Sequence, residues 1–319
     1  MINGSFDILR HGSWGNRDII NYNYGTSNKI VYYNISNATN HIKKFGTKKF
    51  VELEVFNLSF DPDKGQYIPN IASHVIGNGM LYVKMEEWYD HHNYKHPRLL
   101  SALSTTFYQY MNEIVEHFGE RNHISVDPIA DILIFNPLGI LLFSFDPVKN
   151  FFSQTFPIYE WSSQPVFMLN NNHLENTGQN YLVRRPFKYN QTIQPFIYYG
   201  IHAIFGLSYK TLDNKNLSIG AGTLVRGTEG NYINNEIKLL TPLMDGTLGF
   251  FIDKNNSLLV STIITGPEVF NVELNIYPNT LKVNNFSPGI FCAYREVEGF
   301  MMGLSLQYLP AGLGLTSSL

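Results

Sequence analysis

The sequence has a single cysteine and no long apolar run, and each of these shortages excludes a class of protein. Cys292 is alone in a chain of 319 residues. It can therefore form no internal disulfide, and no cysteine cluster exists for zinc or an iron–sulfur centre. No stretch of about 18 or more consecutive apolar residues occurs, which excludes a bundle of membrane-spanning helices. Residues 1–10 also lack the apolar core of a signal peptide.

Charge is scarce as well. Charged residues make up 15% of the chain, against roughly 25% in a typical soluble domain. The formal net charge of -3 offers no basic face to nucleic acid. Aromatic residues reach 14%, and a barrel in lipid needs few charges while it uses Tyr and Phe at the two membrane interfaces. A soluble, aromatic-rich all-β domain fits the same composition, so composition leaves both classes open.

Alternation in the C-terminal half predicts β-strands. From 197 to 209 the odd positions are mostly apolar or aromatic, and the even positions are mostly small or polar. The same period of two returns, with short polar turns between segments, in residues 216–226, 247–253, 257–265, 270–276 and 300–308. Such segments are typical of transmembrane barrels, although a sandwich with one wet face has the same period. The apolar faces rarely carry a charge, and the Gly and Ser opposite them suit a crowded lumen. We therefore favour a barrel.

Further strands are predicted outside this region. The candidates that complete a total of about twelve strands are residues 18–25, 28–36, 50–60, 156–169 and 179–187.

Residues 68–153 have a different pattern, which predicts a helical insert. Apolar residues recur at steps of three and four over 98–119, as on one face of a helix. A second helix is predicted over 71–88. Residues 129–145 are very apolar but contain Pro137 and Gly139. They predict a broken helix or re-entrant element that is buried against protein.

The densest polar cluster of the sequence falls in this insert. Its members are Glu113, Glu116, His117, Asp127, Asp131 and Asn136. The first three share one helix face, and such a run could bind a divalent metal or perform acid–base chemistry. Glu113, Glu116, His117 and Asp127 are therefore candidate catalytic residues. The favoured interpretation is structural: Glu113, Glu116, Asp127, Asp131 and Asn136 hold the insert against the polar wall of the barrel. No metal or other cofactor is assigned. Arg184 and Arg185 could bind lipopolysaccharide phosphates or pair with carboxylates of the insert, and the second is favoured.

The insert also resembles a known family. The resemblance rests on Asn70, Ser73-His74, Gly77 and Tyr82, then the helix at 104–117, then Ser125-Val126-Asp127 with Asp131, and finally Asn136-Pro137-Leu138-Gly139. This order is similar to an uncharacterised domain-of-unknown-function family of bacterial outer-membrane proteins, over about residues 68–150. The chain departs from the family where His117 follows the second Glu. The resemblance implies an outer-membrane location, a barrel and internal helices, and it suggests that Glu113, Glu116, Asp127 and Asn136 form a matched set.

These observations predict an all-β fold with a helical insert. The fold is a transmembrane antiparallel β-barrel of about twelve strands, formed as one domain over 1–319, with a plug-like insert at 68–153 that is internal to the barrel or associated with it. The expected location is a bacterial outer membrane, with the signal peptide removed before residue 1. The expected partners are outer-membrane lipids and lipopolysaccharide, with another envelope protein as a further candidate and no nucleic acid.

Three functions fit this architecture. The first is a non-enzymatic plugged barrel with a structural or partner-docking role. The second is a lipid-modifying enzyme that uses the Glu/His/Asp cluster, and the third is a gated channel or transporter for a small hydrophobic solute. The first is the favoured prediction.

Overall fold

The computed structural model describes residues 19–59, 66, 68–116, 124–187, 191–233, 237–282, 284, 286–306, 309 and 311–317; for 69, 226–233 and 237–242 it describes the backbone alone. The chain divides into two compact units. A helical unit contains Asn23–Thr155 and Thr228–Pro242, and a β unit is formed mainly by Phe156–Gly227 and Leu243–Leu319.

The helical unit contains short helices, and six of those described run directly into or out of a π-helical turn. In chain order its elements are α1 (Tyr24–Ser36), α2 (Ala38–Phe45), α3 (Thr47–Phe50), π1 (Val51–Val55), α4 (Ile68–Ala72), π2 (Ser73–Gly77), α5 (Asn78–His91), α6 (Pro97–Glu116), β1 (Ile124–Ser125), α7 (Asp127–Ala130), π3 (Asp131–Phe135), α8 (Asn136–Phe143), α9 (Asp146–Asn150) and π4 (Phe151–Thr155). An apolar core between α2, α3, β1, α7 and π3 contains Phe45, Phe50, Ile124, Ile129 and Phe135. This core holds π1 against α7.

The strands predicted at 18–25, 28–36 and 50–60 are wrong in the described residues, which are helical from Tyr24 to Ser36 and from Thr47 to Val55. Residues 18 and 60 lie outside the description. The buried positions of α1 are Ser27, Val31 and Asn34, which follow a helical step of three to four. Tyr32 and Tyr33 of the same helix are exposed. Polar residues therefore mark the inner face of α1, and a search for apolar periodicity could not find it.

The three predicted helical segments are confirmed in the described residues, while 117–119 lie outside them. The structure has α6 at Pro97–Glu116, helical structure from Ile68 to His91, and a helix with a π turn from Asp127 to Phe143. Residues 129–145 are buried only in part, since Leu138, Leu141 and Phe145 are exposed. Pro97 is the first residue of α6, where a missing backbone N–H costs nothing. The apolar stripe of α6, Leu99, Leu103 and Phe107, is exposed. No single helix in the described ranges is long and apolar enough to cross a membrane, while one pair, 127–143 and 146–155, meets those criteria together with a bend of 84°.

The β unit contains a large, mostly antiparallel sheet. Its strands are β2 (Ile158–Glu160), β3 (Val166–Met168), β4 (His173–Glu175), β5 (Tyr181–Arg184), β6 (Ile193–Tyr199), β7 (His202–Lys210), β8 (Lys215–Ile233), β9 (Ile237–Lys254), β10 (Ser257–Gly266), β11 (Asn271–Ile276), β12 (Pro288–Arg295), β13 (Gly299–Leu306) and β14 (Gly312–Ser317). The tips of β8 and β9 belong to the helical unit, where β1 pairs in parallel with residues 237–238.

The strand order is β2-β5-β6-β7-β8-β9-β10-β11-β12-β13-β14-β3-β4. This path of 13 strands, compared with the predicted twelve or so, has two ends and is not closed as a barrel in the described residues. The end strands, β2 and β4, belong to two stretches of chain that run side by side, 158–168 and 173–184. Between them the Trp161 N–H donates to the Asn180 carbonyl at 2.8 Å, and the Ser163 N–H donates to the Gly178 carbonyl at 2.8 Å. Strand β14 pairs in parallel with β3 through Gly312 and Val166.

The predicted alternation is confirmed, and it places the apolar side chains outward. Phe205 is 58% exposed, whereas its neighbour Ile204 is fully buried. The same contrast holds on β13, where Leu304 is 54% exposed and Met301 is buried. The exposed outer residues of the sheet include Leu207, Tyr209, Leu217, Ile219, Leu248, Phe250, Phe300, Met302, Leu313 and Leu315.

The inner face of the sheet is filled by the β unit's own side chains. One cluster contains Trp161, Phe196, Tyr198, Ile204 and Phe251. Glycine is required beside these rings, because a Cβ at Gly220 would lie 2.7 Å from Ile204 Cγ2 and one at Gly249 would lie 2.7 Å from the Phe251 ring.

Buried ion pairs lie on the same inner face. Arg184 donates from Nη2 to Asp253 Oδ1 at 2.6 Å and from Nε to Ser208 Oγ at 3.0 Å. The expected pairing with carboxylates of the insert is therefore wrong for Arg184, because its carboxylate partner Asp253 is on β9, four strands away in the sheet. A second pair joins Arg295 to Glu175 at 3.2 Å.

Candidate functional site: a buried carboxylate–histidine centre

Five carboxyl groups of the helical unit lie in one region. Glu113 and Glu116 are in the last turn of α6, and Asp127 begins α7. Asp131 is the first residue of π3, and Glu54 lies within π1. A π turn shifts the side chains that follow it around the helix axis and is often found at functional sites. We name this group, together with His74 and Gln66, the carboxylate–histidine centre.

The three central carboxylates are Glu113, Asp127 and Asp131. Each offers an oxygen atom, and these oxygens all lie within 4.8 Å of one another. Glu113 and Asp131 are buried, whereas Asp127 is half-buried. The centre is therefore close-packed, and Asp127 brings it near solvent.

Gln66 orients two of these carboxylates. Its Nε2 donates to Asp127 Oδ1 at 2.8 Å and to Asp131 Oδ1 at 2.9 Å. The Asn70 side-chain amide donates to Gln66 Oε1 in turn, so that both N–H bonds of Gln66 point at the carboxylates. An amide that donates to two carboxylates fixes their separation without adding charge.

His74 contacts the centre from π2. Its Nε2 lies 3.3 Å from Asp131 Oδ2, and its Nδ1 lies 3.1 Å from Asn136 Oδ1. When the His74 ring is neutral and its Nδ1–H donates to Asn136 Oδ1, its Nε2 carries no proton. The proton between His74 and Asp131 then belongs to the carboxyl group. His74 and Asp131 together therefore form an acid–base pair. The Asn78 side chain holds Asn136 by donating to its backbone carbonyl at 3.1 Å.

Burial raises the pKa of every carboxyl group in the centre, and repulsion between the groups adds to this for all except Asp127. The pKa of Glu54 and the pKa of Glu116 are both raised from the ordinary value to about 8. For each group burial is the larger cause and repulsion from Asp127 is the second. The pKa values of Glu113 and Asp131 lie well above the ordinary range, first through burial and then through neighbouring carboxylates. Burial raises the pKa of Asp127 and lowers the pKa of His74. Within the described residues, His74 is the one group that lowers the pKa of a carboxyl group in the centre, which is that of Asp127.

The predicted polar cluster maps onto this centre in part. Glu113, Asp127 and Asp131 meet directly, and Asn136 joins them through His74. Glu116 interacts electrostatically with Asp127. His117 lies outside the described residues.

Three members of the centre had no role in the sequence prediction. Glu54 fell in a predicted strand, and Gln66 lies in no periodic segment. His74 was part of the family resemblance but had no assigned role. One local signal does group these polar residues. His74 and Asn78 are four residues apart, as are Gln66 and Asn70, which is the spacing of neighbours on one helix face.

The chain has no match among protein-family models, curated proteins or solved structures. The resemblance to a domain-of-unknown-function family therefore stays a prediction, and the arguments for function come from the residues of this chain.

Proposed function

We propose that this protein is an integral β-barrel of a bacterial outer membrane, with a closed interior and a structural or partner-docking role. The reversed polarity of the β unit carries the proposal. A water-soluble sheet packs its apolar face inward and exposes its polar face. Here large apolar side chains such as Phe205, Leu207 and Leu304 are exposed, while Arg184, Asp253 and Arg295 are buried.

The extent of the apolar face argues for lipid as its environment. Exposed apolar residues occur on β7, β8, β9, β13 and β14. Patches on soluble monomers rarely exceed about 600 Å², and a face that continues over several long strands would promote aggregation in water. Lipid hydrocarbon is a favourable environment for such a face, and a barrel that it surrounds needs few charged residues on its outer surface.

Closure into a barrel is supported by the two backbone hydrogen bonds that join residues 161–163 to 178–180. In lipid an unpaired strand edge leaves backbone N–H and C=O groups without partners. The chain between β2 and β3 runs beside the chain between β4 and β5, and these bonds would connect the two ends of the strand path. The interior would then contain the Trp161 cluster and the Arg184–Asp253 pair, which would obstruct an aqueous path along it.

The purified, detergent-extracted protein tests this proposal. We expect the unboiled sample to migrate faster on a denaturing gel than the boiled sample, with a β-rich circular dichroism spectrum, because a closed barrel resists detergent denaturation. In a planar bilayer the same sample should give no steady open-pore current. Equal migration together with solubility in plain buffer would contradict the membrane assignment, and steady currents would contradict the closed interior.

A lipid-modifying enzyme is the second candidate, and the contact between His74 and Asp131 favours it. A histidine and a carboxyl group that share a proton can perform general acid–base chemistry. On this hypothesis His74→Gln and the double variant Glu113→Ala/Glu116→Ala would lower the turnover of phospholipid or lipid A by about 100-fold or more. Wild-type turnover by both variants would exclude these residues, and absence of turnover in the wild type would leave the first proposal preferred.

A further inference from the structure

We propose that Glu113, Asp127 and Asp131 bind a hard divalent cation of the Mg²⁺, Mn²⁺ or Ca²⁺ class. The inference concerns the helical unit alone and goes beyond the barrel proposed above. It begins with the donor set: three carboxylates from α6, α7 and π3, whose nearest oxygens lie within 4.8 Å of one another. Oxygen atoms that share one cation at bond lengths of about 2.0–2.6 Å must lie within about twice that length of each other, so the observed separations suit a single ion.

The chemistry of the donors selects the class of cation. Carboxylate oxygens prefer hard cations, whereas thiolates and imidazoles favour zinc and copper. All three central donors are carboxylates, and Cys292 belongs to β12 of the other unit. His74 approaches Asp131 rather than the centre of the cluster.

A second observation points to a ligand independently of the three central carboxylates. The Glu54 side chain is 1% exposed, and its Oε1 has no hydrogen-bond partner within the described residues. Glu54 interacts electrostatically with Asp127 and Asp131, and its neighbours Leu53 and Val55 pack on the core that includes Ile129 of α7, so its carboxyl group lies near the same centre. A buried carboxylate oxygen without a partner is costly, and a bound cation or one of its water ligands would satisfy it. Asn136 Nδ2, also buried, is a further polar atom without a hydrogen-bond partner in the part of the chain that the structure describes.

The surrounding contacts resemble those that orient metal ligands. Metal-binding carboxylates are usually held by hydrogen bonds from a second layer of side chains. Gln66 fulfils this role for Asp127 and Asp131 at once, and His74 contacts the other oxygen of Asp131. The half-buried Asp127 gives a cation access to the three donors.

Titration of the full-length, detergent-solubilised protein with Mn²⁺, after treatment with EDTA, tests the site directly. The electron paramagnetic resonance signal of free Mn²⁺ should disappear until about one ion per chain is bound. Mg²⁺ or Ca²⁺ in excess should displace it. Glu113→Gln and Asp131→Asn should each weaken Mn²⁺ binding by tenfold or more, and Gln66→Ala by about tenfold through lost orientation. Glu52→Gln, an exposed change two residues from Glu54, is the matched control and should leave binding unchanged.

Thermal unfolding separates a cation site from a purely structural cluster. In EDTA, Glu113→Gln should unfold at a higher temperature than the wild type, because it removes a buried carboxyl group from a crowded cluster of like groups. In Mn²⁺ the order should reverse, since the wild type alone gains the bound ion. Lower stability of Glu113→Gln in EDTA, together with no effect of Mn²⁺ on the wild type, would overturn the proposal. The gel assay of the barrel is unaffected by that outcome, so the two proposals fail separately.

Discussion

Asp253→Ala is expected to destabilise the β unit by about 3–5 kcal/mol, because removal of one partner leaves a buried charge without compensation. The Arg184 guanidinium, with a side chain only 2% exposed, donates from Nη1 and Nη2 to the two oxygens of Asp253. Asp253 also accepts from the Asn216 amide at 2.8 Å and from the Asn256 N–H at 3.1 Å. One substitution therefore removes the acceptor for three donor groups. The measurement is the urea or temperature midpoint at which the fast-migrating gel band disappears.

Two further variants interpret that result. Asp213→Ala removes an exposed carboxylate that pairs with Lys215 at 2.8 Å, and it should leave the midpoint unchanged, since exposed pairs contribute little. The double variant Arg184→Met/Asp253→Leu should recover most of the loss, because apolar replacement of both partners removes the uncompensated charge. An Asp253→Ala midpoint equal to that of the wild type would show that the inner ion pair does not hold the sheet together.

In EDTA the helical unit should become less stable as the pH rises from 6.5 to 8. Burial and the Asp127 charge raise the pKa of Glu54 from 4.5 to about 8. Over this range the unfolded chain has already lost the Glu54 proton while the folded chain keeps it. The stability that the raised pKa contributes is complete below about 4.5 and is lost as the pH passes through 8. The slope should approach about 1.4 kcal/mol per pH unit from this group.

Glu54→Gln is the test of that assignment, and Glu52→Gln is its control. Glu113, Glu116, Asp127, Asp131 and His74 also face this region. Because burial lowers the pKa of His74, His74 gives the opposite slope only below its ordinary value of about 6.5, outside the range measured. Glu54→Gln should reduce the slope between pH 6.5 and 8, as followed by helical circular dichroism on chemical denaturation. An unchanged slope would mean that Glu54 ionises in the folded protein near its ordinary value.

The sequence predicted most of the strands from β6 to β13 because each strand separates two environments, but β4, β12 and β14 lie in no predicted segment. One face of each strand meets the exterior and the other packs inside. Outward residues such as Phe205 and inward residues such as Ser208 therefore follow a period of two in any exterior environment. The alternation cannot identify that exterior, nor show whether the ends of the sheet meet. Those properties depend on contacts such as Trp161 with Asn180, which have no local pattern.

The helical unit was harder to predict because polar residues occupy its buried face. In α6 the buried positions include Ser101, Thr105 and Glu113, while the apolar stripe is exposed. Hydrophobic periodicity found the helix but could not show which side faces inward. The centre was predicted only for residues after 113, since Glu54 and His74 reach it through long-range packing.

The pairing of β14 with β3 has a consequence for how the protein folds. Gly312 and Val166 are direct neighbours in the sheet although they lie far apart in the chain. Pairings of such high sequence separation are slow to form, because a long loop must close before any contact rewards it. Strand β3 lacks its neighbour on that side until β14, the last described strand, has joined the sheet. During that interval the edge of β3 and the apolar outer face of the sheet would remain available to other chains, so we expect folding of this protein to depend on factors that hold unfinished chains apart.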